Sequence, residues 1–551
     1  MFRNILAILL LLPMALFGQN SVNVPGGGTK EDKTFKEILN WYNGAEYGMS
    51  TNLAYEKLLV GKKSAPVIVA VIDSGVDIEH SDLKGRIWVN IDEIAENGVD
   101  DDKNGYIDDV NGWSFLGNPD GENVTGEQLE VTRLYVKLKP KYDGVSEADA
   151  ENKTEYALYQ KCKKHVEAER ADTEKTVGYL KEIAVKAEEA DVKLKAHFKR
   201  DYTMKDLKKA MSDKAIHDPS VGTSATLMYT LMTQGLDLES INQYVEIMSS
   251  SLNAHYNLEF NGRQIVGDNP DDFNDIYYGS KDCEGPDAFH GTHCAGIIGA
   301  VRGNEIGNDG VADNVLIMSI RAVPDGDERD KDVALAIRYA VDNGAQVCNM
   351  SFGKSFTAFP EEVIKAIRYA ESKGVLLVHA AGNDGKDTGS GDNYPTPIYE
   401  GMTERFTNWI EVGASTRYGS AVNDSKKPEK SHDGLAASFS NYSDKIVDIF
   451  APGLEIYSTI PQSDWGNAQG TSMAAPMVTG VAALLKSYFP NLTMIQIKDI
   501  ILKSGQDVSA VITPIPGGTA DIEFKKLCIT GRIANVYNAV EMATQMSVSA
   551  N

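Results

Sequence analysis

The stretch "AFHGTHCAGIIGA", which begins at Ala288, puts His290, His293 and Cys294 within five residues at the head of an apolar run. Three such side chains at one helix end could ligate zinc. Alternatively, one imidazole could act as a general base near neutral pH, with the others as structural neighbours. The cysteines are Cys162, Cys283, Cys294, Cys348 and Cys528, with no C-x-x-C pair, and H-E-x-x-H is absent. Spacing therefore gives a metal little support. Two further candidates lie far off in the chain. Asp73 closes the run "PVIVAVID", which places it at the carboxyl end of an expected strand, where open α/β sheets carry their sites. A buried carboxylate there must be paired or hydrogen-bonded. Ser472 lies in "QGTSMAAPMVTGVAALLK", at the start of an expected helix with Pro476 in or near its first turn, where a missing N–H costs little. The unpaired N–H groups of a helix start suit developing negative charge. Taken singly, each residue has a plain structural reading: a strand-end turn, a buried histidine, a helix cap.

The elements that must position these groups are legible as alternating patterns. The runs "APVIVAVIDSG", "VLIMSIRAV", "AQVCNMSFG", "GVLLVHAAGN" and "NWIEVGAST" are short, continuous and rich in Val, Ile and Leu, as befits strands buried on both faces of a parallel sheet. Between them, "KDVALAIRYAVDNG" and "EEVIKAIRYAESKG" carry helical periodicity and end in a Gly suited to a helix C-terminus. The fold class is α/β, a doubly wound, mostly parallel sheet. Residues 121–262 break the rhythm: they are rich in Glu, Lys and Ala, with Val177, Leu180, Ala184, Ala187, Leu194 and Phe198 at helical spacing, and Thr203 with Asp206 suggests a capping box. This span reads as a helical insertion subdomain, so the peptide body falls into parts 65–120 and 263–545.

With 54 Lys and Arg against 79 Asp and Glu, the net charge is −25, which argues against nucleic acid or an anionic lipid surface as a partner. The start "MFRNILAILLLLPMALFGQ" has Arg3 before an apolar run and reads as a secretory signal over residues 1–18. No later stretch reaches the length of a membrane span, so the mature protein is expected to be exported, without a transmembrane anchor, to the periplasm, cell surface or medium. The odd cysteine count gives no disulfide framework. Residues 19–64 are polar and aromatic and are expected to wrap the body and stay attached.

The order Asp73, His290, Ser472 is one of the known chain orders of a hydrolytic triad. Together with it, "VIDSGVDIEHSDL", "HGTHCAGIIGA" and "GTSMAAPMVTGVAALL", with "NMSFG", "HAAGNDG" and "FAPG", resemble the signature blocks of subtilisin-like serine peptidases. The resemblance implies a serine endopeptidase acting on protein or peptide substrates, with Ser472 as nucleophile, His290 as base and Asp73 as its orienting acid. It also implies Asn383 as an oxyanion donor beside the Ser472 N–H, a P1 pocket lined by Ser351, Phe352, Gly353 and Ala380, and an apolar or broad P1 preference. His293 is then a structural neighbour, and Cys294, one helical turn past His290, presses on its ring. Open alternatives are an exopeptidase on the same fold, or a scaffold that presents the insertion to a partner. The insertion lies between the Asp and His blocks and is a candidate gate of the cleft.

A further motif, "DDDKNGYIDD", sets Asp100, Asp102, Asn104, the Tyr106 carbonyl and Asp108 at the spacing of the first positions of an EF-hand-type calcium loop, with Gly105 at the turn. The twelfth position is Asn111, not Glu, so structural calcium is expected without a full EF-hand.

Overall fold

A computed structural model describes residues 38–212, 218–233, 236–389, 391–422 and 432–549; the expected signal, residues 1–18, lies outside them. Two compact units emerge: residues 1–125 with 262–551, and Gly126–Asn261.

The first unit is built on a nine-stranded sheet. In chain order its strands are β1 (Val67–Asp73), β2 (Gly112–Ser114), β3 (Val315–Arg321), β4 (Val347–Met350), β5 (Leu376–Ala380), β6 (Trp409–Ser415) and β7 (Ile449–Pro452). A separate hairpin follows, β8 (Ile456–Ile460) with β9 (Asp464–Ala468), then β10 (Gln506–Asp507), a small hairpin of β11 (Ile512–Pro514) and β12 (Asp521–Glu523), and β13 (Arg532–Ile533). The sheet order is β10-β13-β7-β6-β5-β4-β1-β3-β2. Every pairing in it is parallel except that of β10 with β13. The five apolar runs are β1 and β3 to β6, as their continuous hydrophobicity requires of strands covered on both faces. Along β1 the residues divide by parity: Val67, Val69 and Val71 join one core, Ala70 and Ile72 the other.

The second unit consists of α1 (Glu130–Tyr142), α2 (Lys153–Phe198), α3 (Met204–Ser212), α4 (Pro219–Thr233) and α5 (Leu238–Ser250). The 46-residue α2 is capped by the Asn152 side chain, which accepts the Glu155 N–H. It buries Val177, Leu180, Ala184, Ala187 and Leu194, while Phe198 is only half-buried. Its outer face carries exposed pairs such as Arg170–Glu174 and Lys186–Glu182, each worth a few tenths of a kcal/mol at most. At α3, Thr203 and Asp206 exchange side-chain and backbone hydrogen bonds, which is the reciprocal box read from the sequence.

Back in the first unit, α6 (Phe289–Gly299) and α9 (Thr471–Tyr488) cover one face of the sheet with α10 (Met494–Ser504) and α11 (Val536–Ser549). The other face is covered by α7 (Asp330–Asp342) and α8 (Pro360–Ser372). The N-terminal segment belongs to the core: Tyr42, Met49, Ala54 and Leu59 are buried with β1, α6 and α9. Its backbone is tied down as well, the Val536 N–H donating to the Met49 carbonyl at 2.7 Å. The chain leaves and re-enters this unit side by side. Ser114 bridges Ser280, Asn118 Nδ2 donates to the Ile265 carbonyl at 3.0 Å, and buried Arg263 pairs with Asp268 and Asp332.

Candidate active site

Asp73 is the last residue of β1 and is 1% exposed. Its Oδ1 accepts the Ser74 N–H at 2.8 Å and receives His290 Nδ1–H at 2.7 Å. A carboxylate is an acceptor only, so the proton sits on Nδ1 and the lone pair on Nε2 is left to act as a base. Helix α6 delivers His290 through a close backbone approach. A Cβ on Gly291 would stand 2.1 Å from the Gly75 carbonyl oxygen, and Gly75 itself has φ +125° with Glu284 O only 1.9 Å from where its Cβ would be. Neither position admits a side chain. Burial opposes the imidazolium of His290, but the charge and hydrogen bond of Asp73, with Asp287 adding to them, hold its pKa above 6.5.

His293 is placed differently. Its Nε2 donates to the carbonyls of Ile456 and Gly466 at 3.1 and 3.2 Å, tying α6 to the β8–β9 hairpin. Burial, with the nearby His290, pushes its pKa down to about 3. It is a neutral structural residue, with no lone pair to spare for zinc on that nitrogen. Cys294 is fully buried, with its sulfur within 4.8 Å of ligand atoms of Asp73 and His290. Burial and the Asp73 charge raise its pKa well above the ordinary thiol value, so it stays a protonated thiol.

Ser472 is the second residue of α9. Its Oγ donates to the Ser351 carbonyl at 3.1 Å; a bond from a serine to its base is often made only once substrate is bound. Asn383 lies just past the end of β5, and its Oδ1 accepts both the N–H and the hydroxyl of Thr471, at 2.8 and 3.0 Å. Those two donors fix which way the amide faces. Pro476 is the sixth residue of α9, beyond the first turn, so it withholds a helical N–H rather than occupying a harmless end position.

Ser351, Phe352 and Gly353 follow β4, and Ala380 ends β5; Ser351, Phe352 and Ala380 are buried. Asn393, which the motifs did not single out, joins these two walls. Its Nδ2 donates to the carbonyls of Ala380 and Ala381 at 3.3 and 3.1 Å, and its Oδ1 lies 2.7 Å from where a Cβ on Gly353 would be. Lys354, next along, is buried against Asp330 at 2.8 Å.

In the acidic loop, the carboxylates of Asp100 and Asp102 come together with that of Glu93, their oxygens within 4.8 Å of one another. Among the described residues none of the three has an ion-pair partner. Three converging carboxylates are an all-oxygen donor set that fits calcium. Asn104 bonds within the loop, its Nδ2 donating to Asp102 and Asp109, and the Tyr106 ring is buried. Asp108, at φ 55°, points its carboxylate at the Asn97 and Gly98 N–H groups and Lys281, apart from the cluster. Glu93 is absent from the loop motif because it comes from outside the span that the template reads.

A family model described as "Subtilase family" matches residues 64–515. A thermophilic serine proteinase of Bacillus sp. (strain AK1) is 39% identical over 225 residues, 41% of this chain and 48% of that protein. Thermitase of Thermoactinomyces vulgaris is 39% identical over 199 residues, 36% of this chain and 61% of that protein. The matched regions thus span about half to three fifths of these relatives' own length. A solved structure described as proteases from Pseudoalteromonas arctica PAMC 21717 aligns with TM-score 0.45 and 20% identity, over 94% of this chain and 100% of that one.

Proposed function

The chain belongs to the subtilase family, and from that premise we propose that it is an exported serine endopeptidase. The observation that carries the reading is the 2.7 Å bond from His290 Nδ1 to Asp73 Oδ1, with Cys294, whose sulfur lies within 4.8 Å of both, reaching the Ser472 carbonyl at 3.4 Å. Ser472 attacks the scissile carbonyl, His290 Nε2 takes its proton and returns it to the leaving amine, and Asp73 holds the imidazole and stabilises its cation. The Ser472 N–H and the Asn383 amide receive the tetrahedral oxyanion. The substrate is an extended peptide, with its P1 side chain between Ser351–Gly353 and Ala380. Lys354, next to Gly353, is committed to Asp330, and Asn393 supplies a polar amide beside Ala380 and Gly353. That mixture suits apolar and small polar P1 residues, a broad preference. The test is labelling by a fluorophosphonate together with casein digestion. Wild type should do both and Ser472→Ala neither; a Ser472→Ala enzyme that still digests casein sinks the assignment.

Export rests on the apolar leader at residues 1–18, and N-terminal sequencing of the secreted protein tests it. Among the described residues, no helix is long and apolar enough to cross a membrane. For calcium, Glu93, Asp100 and Asp102 are the residues that would hold the ion, whose part is to neutralise their mutual repulsion and stiffen the loop. Thermal unfolding in EDTA should fall below that in millimolar calcium, and equal midpoints would exclude a structural site.

A further inference from the structure

Helix α9 has a defect at its most important point. The carbonyl of Ser472 should accept the N–H of the residue four further on, but that residue is Pro476, which has none. The same carbonyl nevertheless accepts two side-chain donors from elsewhere in the fold: Ser351 Oγ at 2.8 Å and the Cys294 thiol at 3.4 Å. Ser351 is in turn aimed. Its Oγ accepts Asn349 Nδ2 at 2.9 Å, which leaves its own proton for Ser472, and Asn349 Oδ1 accepts the hydroxyl of Thr479 at 3.1 Å, two turns along α9. Asn349 and Thr479 are both fully buried, and Ser351 is 4% exposed. Buried polar chains of this kind persist when every member is satisfied.

We propose that the Ser351 hydroxyl is a positioning residue for the nucleophile: it replaces the hydrogen bond that Pro476 denies to the Ser472 carbonyl, and so fixes the first turn of α9. This rests on the peptidase reading and gives Ser351 a second role besides lining P1. The turn matters because it sets two things at once, the direction of the Ser472 side chain and that of its N–H toward the oxyanion. Without the Ser351 donor the carbonyl keeps the longer sulfur contact, and the turn that carries the serine loses the tie that holds it in place. The role is separable from P1 binding, since Ser351→Ala keeps the Cβ and the backbone that line the pocket.

The experiment is a double-variant cycle with Ser351→Ala and Pro476→Ala, read by the rate constant of fluorophosphonate labelling and by kcat and KM on a blocked peptide ester. Ser351→Ala should lower labelling and kcat about tenfold, the scale of leaving one buried acceptor short of a donor, with KM little changed for any P1 residue. Ser351→Thr, which keeps a hydroxyl, should lose less. Pro476→Ala restores an N–H four residues from Ser472, so the double variant should recover most of the loss. If Ser351→Ala is too unstable to purify, the double variant should still yield folded, labelling enzyme. Wild type that does not label at Ser472 overturns the peptidase reading itself. Wild type that labels while Ser351→Ala labels equally fast overturns the positioning role alone. So does a loss that appears in KM and varies with P1, or a double variant no faster than Ser351→Ala.

Discussion

Asn383→Ala offers the sharpest test of the oxyanion site, because the structure fixes the amide from its far side. Thr471 presents two donors, its N–H at 2.8 Å and its hydroxyl at 3.0 Å, and both end on Asn383 Oδ1. Flipping the amide would set Nδ2 against the Thr471 N–H. The orientation is therefore locked, with the amide standing against the Gly470 turn that leads into Ser472. A donor held in this way costs no reorganisation when the oxyanion forms. Its loss is worth about 10²–10³ in kcat, or about 2.7–4 kcal/mol, a scale established on a subtilisin side-chain donor. KM should hardly move, because the bond strengthens only as the carbonyl becomes tetrahedral. Asn383→Asp keeps the acceptor but replaces the donor with negative charge, and should lose more than the alanine variant. Thr471→Val removes one of the two locking bonds and also the acceptor of the Gly382 N–H, so its kcat should fall between wild type and Asn383→Ala. The assay is kcat and KM on a blocked peptide anilide, with active sites counted by fluorophosphonate titration. A kcat within a few-fold of wild type for Asn383→Ala, or a loss confined to KM, would refute the reasoning.

The acid limb of kcat/KM should lie above pH 6.5, since Asp73 and Asp287 outweigh burial at His290. Asp287→Asn removes a charge that favours the imidazolium, so the limb should move to lower pH, and an unmoved limb would discount Asp287. The same raised pKa makes His290 a stabilising group below its unfolded value, and that contribution is lost as pH rises through the folded value. A mercurial should inhibit the enzyme through Cys294, slowly because the thiol is buried and protonated; Cys294→Val should remove the sensitivity, and equal inhibition of both forms counts against it. Replacing residues 126–261 with a short Gly/Ser linker should leave a folded peptidase, because Asn118, Ile265 and Arg263 already hold the two chain ends. If the insertion gates the cleft, kcat/KM then rises more for a folded protein substrate than for a blocked peptide, whereas equal change for both excludes a gate.

What the sequence disclosed follows from how far each signal travels along the chain. Strands β1 and β3 to β6 were readable because burial on both faces writes an unbroken apolar run into a few residues. Asp73, His290 and Ser472 stood out as candidates because each sits at the end of a strand or the start of a helix, where small residues such as Gly75 and Gly291 permit close backbone approach. The residues that were missed act across the fold. Glu93 reaches the acidic cluster from outside the loop template, while Asp108, which the template includes, is turned away by its left-handed backbone. Asn393 joins two walls to which it is not adjacent in sequence.

Pro476 shows why such gaps are physical rather than a matter of finer pattern reading. Local rules place proline near a helix start and find it harmless there. Its consequence is a missing donor at Ser472, and the groups facing that carbonyl belong to the end of β4 and the middle of α6, 121 and 178 residues away. A sequence motif records a Ser, three residues and a Pro at a helix start; it holds no record of which distant hydroxyl faces the orphaned carbonyl. A site built at the carboxyl ends of parallel strands always has this character, since neighbouring strands in such a sheet are joined only by long crossovers. Candidate reacting groups can be proposed from local sequence, but the groups that hold them in register become visible only when the crossovers are closed.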